Sequence, residues 1–109
     1  MPVNYKVLGQ SNPAATTATT LYTVPSATQA VVSTISVANT GATAATYRIA
    51  IRVAGATLAT SQYIAFDTAI TANNSTMMTL GIALGAADVV TIYSSNTNLS
   101  FAAFGTEIS

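Results

Sequence analysis

Along Tyr47-Arg48-Ile49-Ala50-Ile51-Arg52-Val53, large apolar and other side chains change places at every residue. A period of two places successive side chains on opposite sides of an extended chain, whereas a helix would need a period near 3.6. Tyr47, Ile49, Ile51 and Val53 therefore point to a core, and Arg48, Ala50 and Arg52 point away from it. That is the pattern of a half-buried antiparallel strand with one wet face. An aspartate at Ile49 or Ile51 would place an unpaired charge inside the sheet and prevent folding, whereas Arg48→Ala should be mild.

The same reading extends along the chain. Val31, Ile35 and Val37 alternate with Val32, Thr34 and Ser36, and Asn39-Thr40-Gly41 supplies turn residues before the next strand. Val31–Asn39 and Ala44–Ala54 are accordingly predicted to form a hairpin, with Gly41 at positive φ. Val90 and Ile92 mark a strand over Val89–Ser94. Leu99–Ile108 follows as its hairpin partner, turned by Ser95-Asn96-Thr97-Asn98. Tyr5–Leu8, Leu21–Val24, Leu58–Phe66 and Thr76–Leu80 read as further strands. The predicted core is Val31, Ile35, Val37, Tyr47, Ile49, Ile51, Val53, Val90 and Ile92. Seven or eight short antiparallel strands in one domain over residues 1–109 point to an all-β sandwich or jelly roll. Residues 1–20 form its first strand and an extended Ala/Thr-rich arm. The high alanine content favours helix in isolation. No window carries a helical stripe, however, and Leu80–Ala87 contains two glycines, so little or no helix is expected.

Composition then narrows function. Charged residues make up 6% of the 109-residue chain, with net charge zero, against about 25% in an ordinary soluble domain. Ala and Thr together fill more than a third of it. A neutral surface of short side chains packs against other protein with little cost of stripping water from ions. Three cations cannot supply the footprint that nucleic acid or anionic lipid requires. No stretch is long and apolar enough to span a bilayer. Met1–Gln10 lacks the basic-then-apolar plan of a secretory leader, so synthesis and folding in a cytoplasm are expected.

Chemistry is scarce. Cysteine and histidine are absent, which removes disulfides, thiol nucleophiles and the commonest general base. Lys6 reads as an edge-strand charge that discourages strand-to-strand aggregation. Asp67, Asp88 and Glu107 are the only carboxylates. A glycosidase would need two of them facing one cleft, and nothing in their spacing brings two together. No acidic cluster suggests a metal, so no cofactor is expected. Arg48 and Arg52 are the candidate interface residues, able to pair with a partner's carboxylates or with Asp67 or Glu107. Tyr5, Tyr22, Tyr63 and Tyr93 could form a sugar-stacking platform on one sheet, or pack at the core edge with wet hydroxyls.

The run Thr20–Asn39, the hairpin expected after it, and the tail Asp88-Val89-Val90-Thr91-Ile92-Tyr93…Leu99-Ser100-Phe101…Phe104-Gly105-Thr106-Glu107-Ile108 resemble small virion structural proteins of tailed phages, notably those of cyanobacteria and marine bacteria. The resemblance extends over nearly the whole chain. It implies a β-sandwich that decorates or cements a capsid, or that belongs to a tail, baseplate or fibre. It also implies other virion proteins as partners, a homo-oligomer such as a trimer, and a place in the virion. It supplies no catalytic residue. The competing expectations are a receptor-binding module that recognises glycans, and a hydrolase built on the three carboxylates.

Overall fold

The computed structural model describes residues 3–109, the side chain of Leu80 excepted; Met1 and Pro2, which open the expected N-terminal segment, lie outside the described residues. Eight strands follow one another: β1 (Val3–Ser11), β2 (Thr19–Thr23), β3 (Gln29–Asn39), β4 (Ala45–Arg52), β5 (Tyr63–Ile70), β6 (Ser75–Leu84), β7 (Val89–Ser94) and β8 (Leu99–Ile108). Two short 3-10 turns, Val53–Gly55 and Thr60–Gln62, separate β4 from β5. No α-helix occurs among the described residues.

The strands form two four-stranded sheets, β1-β8-β3-β6 (sheet 1) and β2-β7-β4-β5 (sheet 2), and every pairing is antiparallel. Successive strands change sheet at every step except β4 to β5. An eight-stranded, two-sheet arrangement of this kind is the jelly roll. Between the sheets lie Ile35, Val37, Tyr47, Ile49, Val90, Ile92, Leu99 and Phe101, all at most 2% exposed. Tyr47 and Phe101 meet edge to face, with ring centroids 6.2 Å apart. Ile51 is partly buried against this core.

Neither predicted hairpin forms. β3 and β4 lie in different sheets, as do β7 and β8, so both short connections cross the sandwich. Facing sheets are only about 10 Å apart, a distance that four or five residues span easily. The crossing after β3 is fixed by buried Asn39, whose Nδ2 donates to the Thr43 and Ile70 carbonyls while its Oδ1 accepts from the Gly41 amide. The Thr40 amide donates to the Asn98 carbonyl, and the Asn73 amide donates to the Gly41 carbonyl. Three loops are thereby laced together at one end of the sandwich. Gly41 does not take the expected positive φ; among the glycines only Gly55 does. Gly41 is required for room instead, because a Cβ there would overlap the Asn98 side chain.

Two predicted core residues face out. The β3–β8 register shifts between Val32 and Thr34, where Ser33 is an extra residue in β3. A β-bulge of this kind reverses which alternate residues face inward. Ala30 and Val32 are buried before it and Ile35 and Val37 after it, so Val31 turns outward and is 36% exposed. Val53 is 66% exposed because β4 ends at Arg52 and the chain enters a 3-10 turn there. Ala50 departs the other way. It sits on the outer side as predicted, yet it is 1% exposed, a short side chain flanked across the sheet by Tyr63 of β5 and Thr91 of β7.

Candidate protein interface

The outer side of sheet 2 carries a connected group of polar and aromatic side chains. β4 pairs with β5 through Tyr47↔Thr68 and Ile49↔Ala65, so Phe66 and Asp67 together oppose Arg48. Asp67 accommodates this bulge with φ of 48°, a left-handed conformation that aspartate tolerates better than most residues. The bulge aims both side chains at the same guanidinium. Arg48 Nε donates to Asp67 Oδ1 at 2.6 Å and Nη2 donates to Oδ2 at 3.3 Å. The guanidinium carbon lies 4.1 Å from the Phe66 ring centre and 4.3 Å from that of Tyr93. Tyr63 meets Phe66 edge to face at 4.9 Å. Hydrogen bonding from Arg48 holds the Asp67 carboxyl below the usual carboxylate range, and the same bond raises the Arg48 pKa. Of the two pairings open to Arg48, the one inside the domain is made.

Arg52, the second candidate, is committed to its own loop. Its Nε and Nη2 donate to the Ala56 and Gly55 carbonyls at 2.7 and 3.0 Å, closing the 3-10 turn that follows β4. Asp88 accepts from the Ala54 and Gly85 amides at 2.8 and 2.9 Å, which ties that turn to the β6–β7 connection. Lys6 bonds Glu107 across the β1–β8 pair at 2.8 Å. The Tyr22 hydroxyl donates to the same carboxylate from sheet 2, so one glutamate links the two sheets. Bonds from Lys6 and Tyr22 keep the Glu107 carboxyl below its ordinary range, and burial followed by the Glu107 contact pushes the Tyr22 phenol well above its own.

The three carboxylates are thus held on separate partners in separate places. Among the described residues no three acidic groups gather in a way that could hold a metal. The four tyrosines do not share a sheet: Tyr5 stands on β1 in sheet 1, Tyr22 is buried, and only Tyr63 and Tyr93 lie near one another, with Phe66 and Arg48.

All six charged side chains find partners within the domain. What remains outside sheet 1 is uncharged. Val3, Tyr5 and Val7 on β1, Val31 and Thr34 on β3, Phe104 and Thr106 on β8, and Met77 on β6 share this side by register and alternation. Tyr5 and Met77 are 83% and 72% exposed. Sequence reading missed this face for two reasons. The Ser33 bulge sends Val31 outward, and β1 inverts the usual rule by turning Lys6 toward Glu107 while Val3, Tyr5 and Val7 face solvent. The strict alternation Val3-Asn4-Tyr5-Lys6-Val7 was the signal, although alternation alone does not say which side is inward.

No family model matches the chain, and no curated protein matches it. Among solved structures, the chain is similar to one in the structure of infectious bursal disease virus, Gx strain, with TM-score 0.51 and 13% identity over 97% of its length. The structure of the Gt strain gives TM-score 0.50 and 12% identity, again over 97%. The chain spans 31% and 30% of those longer chains. At such identity the likeness is one of fold: this jelly roll also occurs as a portion of a chain in that virus.

Proposed function

We propose that the protein is a non-enzymatic structural subunit of a virus particle, held to its neighbours by protein–protein contacts, and that it decorates or cements the capsid of a tailed phage. The observation that carries this reading is the uncharged outer face of sheet 1, where Val3, Tyr5, Val7, Val31 and Met77 are exposed together. Contiguous exposed apolar surface marks an interaction site in a soluble protein, and charge depletion is the compositional sign of an interface core. The jelly-roll strand order and its likeness to chains of infectious bursal disease virus support a virion setting. The test is mass spectrometry and a low-resolution map of particles purified from the encoding phage. A fixed number of copies on the outside of the shell is expected. Absence from washed particles would overturn the reading, and location on the tail, baseplate or fibre would correct its finer part.

A glycan-binding role is favoured by one group, Tyr63, Phe66 and Tyr93. It is weakened by the same geometry, since Phe66 and Tyr93 each already give a ring face to Arg48. A glycan array that finds a ligand lost on Tyr93→Ala would restore it.

A further inference from the structure

The outer face of sheet 1 carries a projection and a hollow at the same height on opposite edges. Register places Tyr5, Thr106, Val31 and Ala83 in one row across β1, β8, β3 and β6. Tyr5 stands at the β1 edge. At the β6 side of that row lies a shallow hollow of about 310 Å³ lined by Gln29, Val31, Ala83, Leu84, Gly85 and Ile108 among others. The next rows are filled by Val7, Phe104, Thr34 and Thr79, then Gln10, Ala102, Ser36 and Met77. No charged side chain enters any of these rows.

We propose that two copies of this chain pair face to face through sheet 1, about a two-fold axis running along the strands, with Tyr5 of each copy seated in the Val31–Ala83–Gly85 hollow of the other. Such an axis lays β1 of one copy over β6 of the other and β8 over β3, and it preserves height along the strands. Tyr5 therefore arrives over the small Ala83 of its own row, and the contact is made twice, as an isologous interface requires. The uncharged face favours a second copy over an unrelated partner. It meets its own image without stripping water from an ion or opposing like charges, whereas most protein surfaces would bring charge onto it. The area suffices. Four strands at about 4.8 Å spacing and about nine residues at 3.3 Å give a footprint of roughly 550 Å² per copy. A pair would bury roughly 1,100 Å², at the lower bound of a specific interface. Aligned packing of two sheets is also an ordinary arrangement.

The pairing is a property of the chain and does not depend on membership of a particle. Sedimentation velocity of the purified protein should show a dimer, and Tyr5→Asp should weaken it at least about thirtyfold. Tyr5 is so exposed that this variant should keep the parent's circular dichroism, and its melting curve at dilutions where the parent is also monomeric. The absence of native cysteine permits a second measurement. In Tyr5→Cys/Ala83→Cys the two positions of one chain are three strands apart, about 14 Å, whereas across the paired faces they stand about 10 Å apart with side chains pointing at each other. Both separations exceed the reach of a disulfide, about 7 Å between Cα atoms. A short thiol-to-thiol cross-linker, able to join the facing positions and unable to span the two within one chain, should therefore yield a covalent dimer linked between positions 5 and 83. A monomer at hundreds of micromolar would overturn the proposal, as would an oligomer that tolerates Tyr5→Asp and is not trapped by the cysteine pair. A monomer that nonetheless enters purified particles would overturn the pairing alone and leave the particle reading standing.

Discussion

Each of the six charged residues is answered within the domain, and the Lys6–Glu107–Tyr22 group shows what that does. Tyr22 is 7% exposed, and its phenol is pushed upward first by burial and then by Glu107. A group whose folded-state pKa is raised lends stability that is complete below its unfolded value, near 10 for tyrosine, and is lost as pH rises beyond it. The denaturant midpoint should hold from neutrality to about pH 10 and then fall. Tyr22→Phe should make that fall shallower without removing it, because burial also raises the Tyr47 phenol. Phenolate absorbance followed beside unfolding would check this. Glu107 has the opposite sign: its lowered pKa lends stability above the unfolded value near 4.3 that disappears as the pH falls through the folded one. At the core, Ile49→Ala should cost about 2–5 kcal/mol. Val53→Ala, which removes an exposed side chain, should stay within about 0.5 kcal/mol. Urea melts of the two variants would separate a true core position from one that alternation merely suggested.

At the scale of strands, the two glycines Gly105 and Gly81 give the sharpest contrast. A Cβ at Gly105 would overlap the Val31 carbonyl oxygen, and that neighbour is backbone that cannot step aside. Gly105→Ala should cost about 1–3 kcal/mol by overpacking. Nothing lies within 4 Å of a Cβ built at Gly81, so Gly81→Ala should be neutral or stabilise by up to about 1 kcal/mol; thermal melts of both would decide. The same register explains what could be read in advance. Alternation located the strands, and it identified Ile35, Val37, Tyr47, Ile49, Val90 and Ile92, because burying one face leaves that imprint on sequence. It did not reveal pairing. A short polar loop after Asn39 or Ser94 serves equally to turn beside a strand or to cross above it, and the buried Asn39 side chain that selects crossing acts through residues as distant as Ile70. Nor did it reveal Ser33, since an extra residue in a strand looks locally like any other serine. The Arg48–Asp67 bond was one of two open pairings, and the Phe66–Asp67 bulge that selects it depends on where β5 docks.

For the whole molecule, internal neutralisation has a thermodynamic signature. The two ion pairs are partly exposed and such contacts contribute little, while the uncharged face of sheet 1 has no field for salt to screen. Stability and self-association should therefore change little between about 50 and 500 mM sodium chloride, and sulfate should strengthen both by promoting apolar burial. Steep loss of association with sodium chloride, measured by sedimentation, would point to a contact through Arg48 or Lys6 instead. Pairings such as β1–β8 and β2–β7 join residues far apart in sequence, so refolding should be slow, on the order of milliseconds to seconds. One of those rungs, Val3 opposite Ile108, has a further consequence. Partners on an antiparallel ladder stand about 5 Å apart, so a few inserted residues would close the polypeptide into a ring at that corner. Circular permutants reopened in the exposed stretch between the two 3-10 turns should keep all eight strands, and the domain could be spliced into a surface loop of another protein through two neighbouring attachment points.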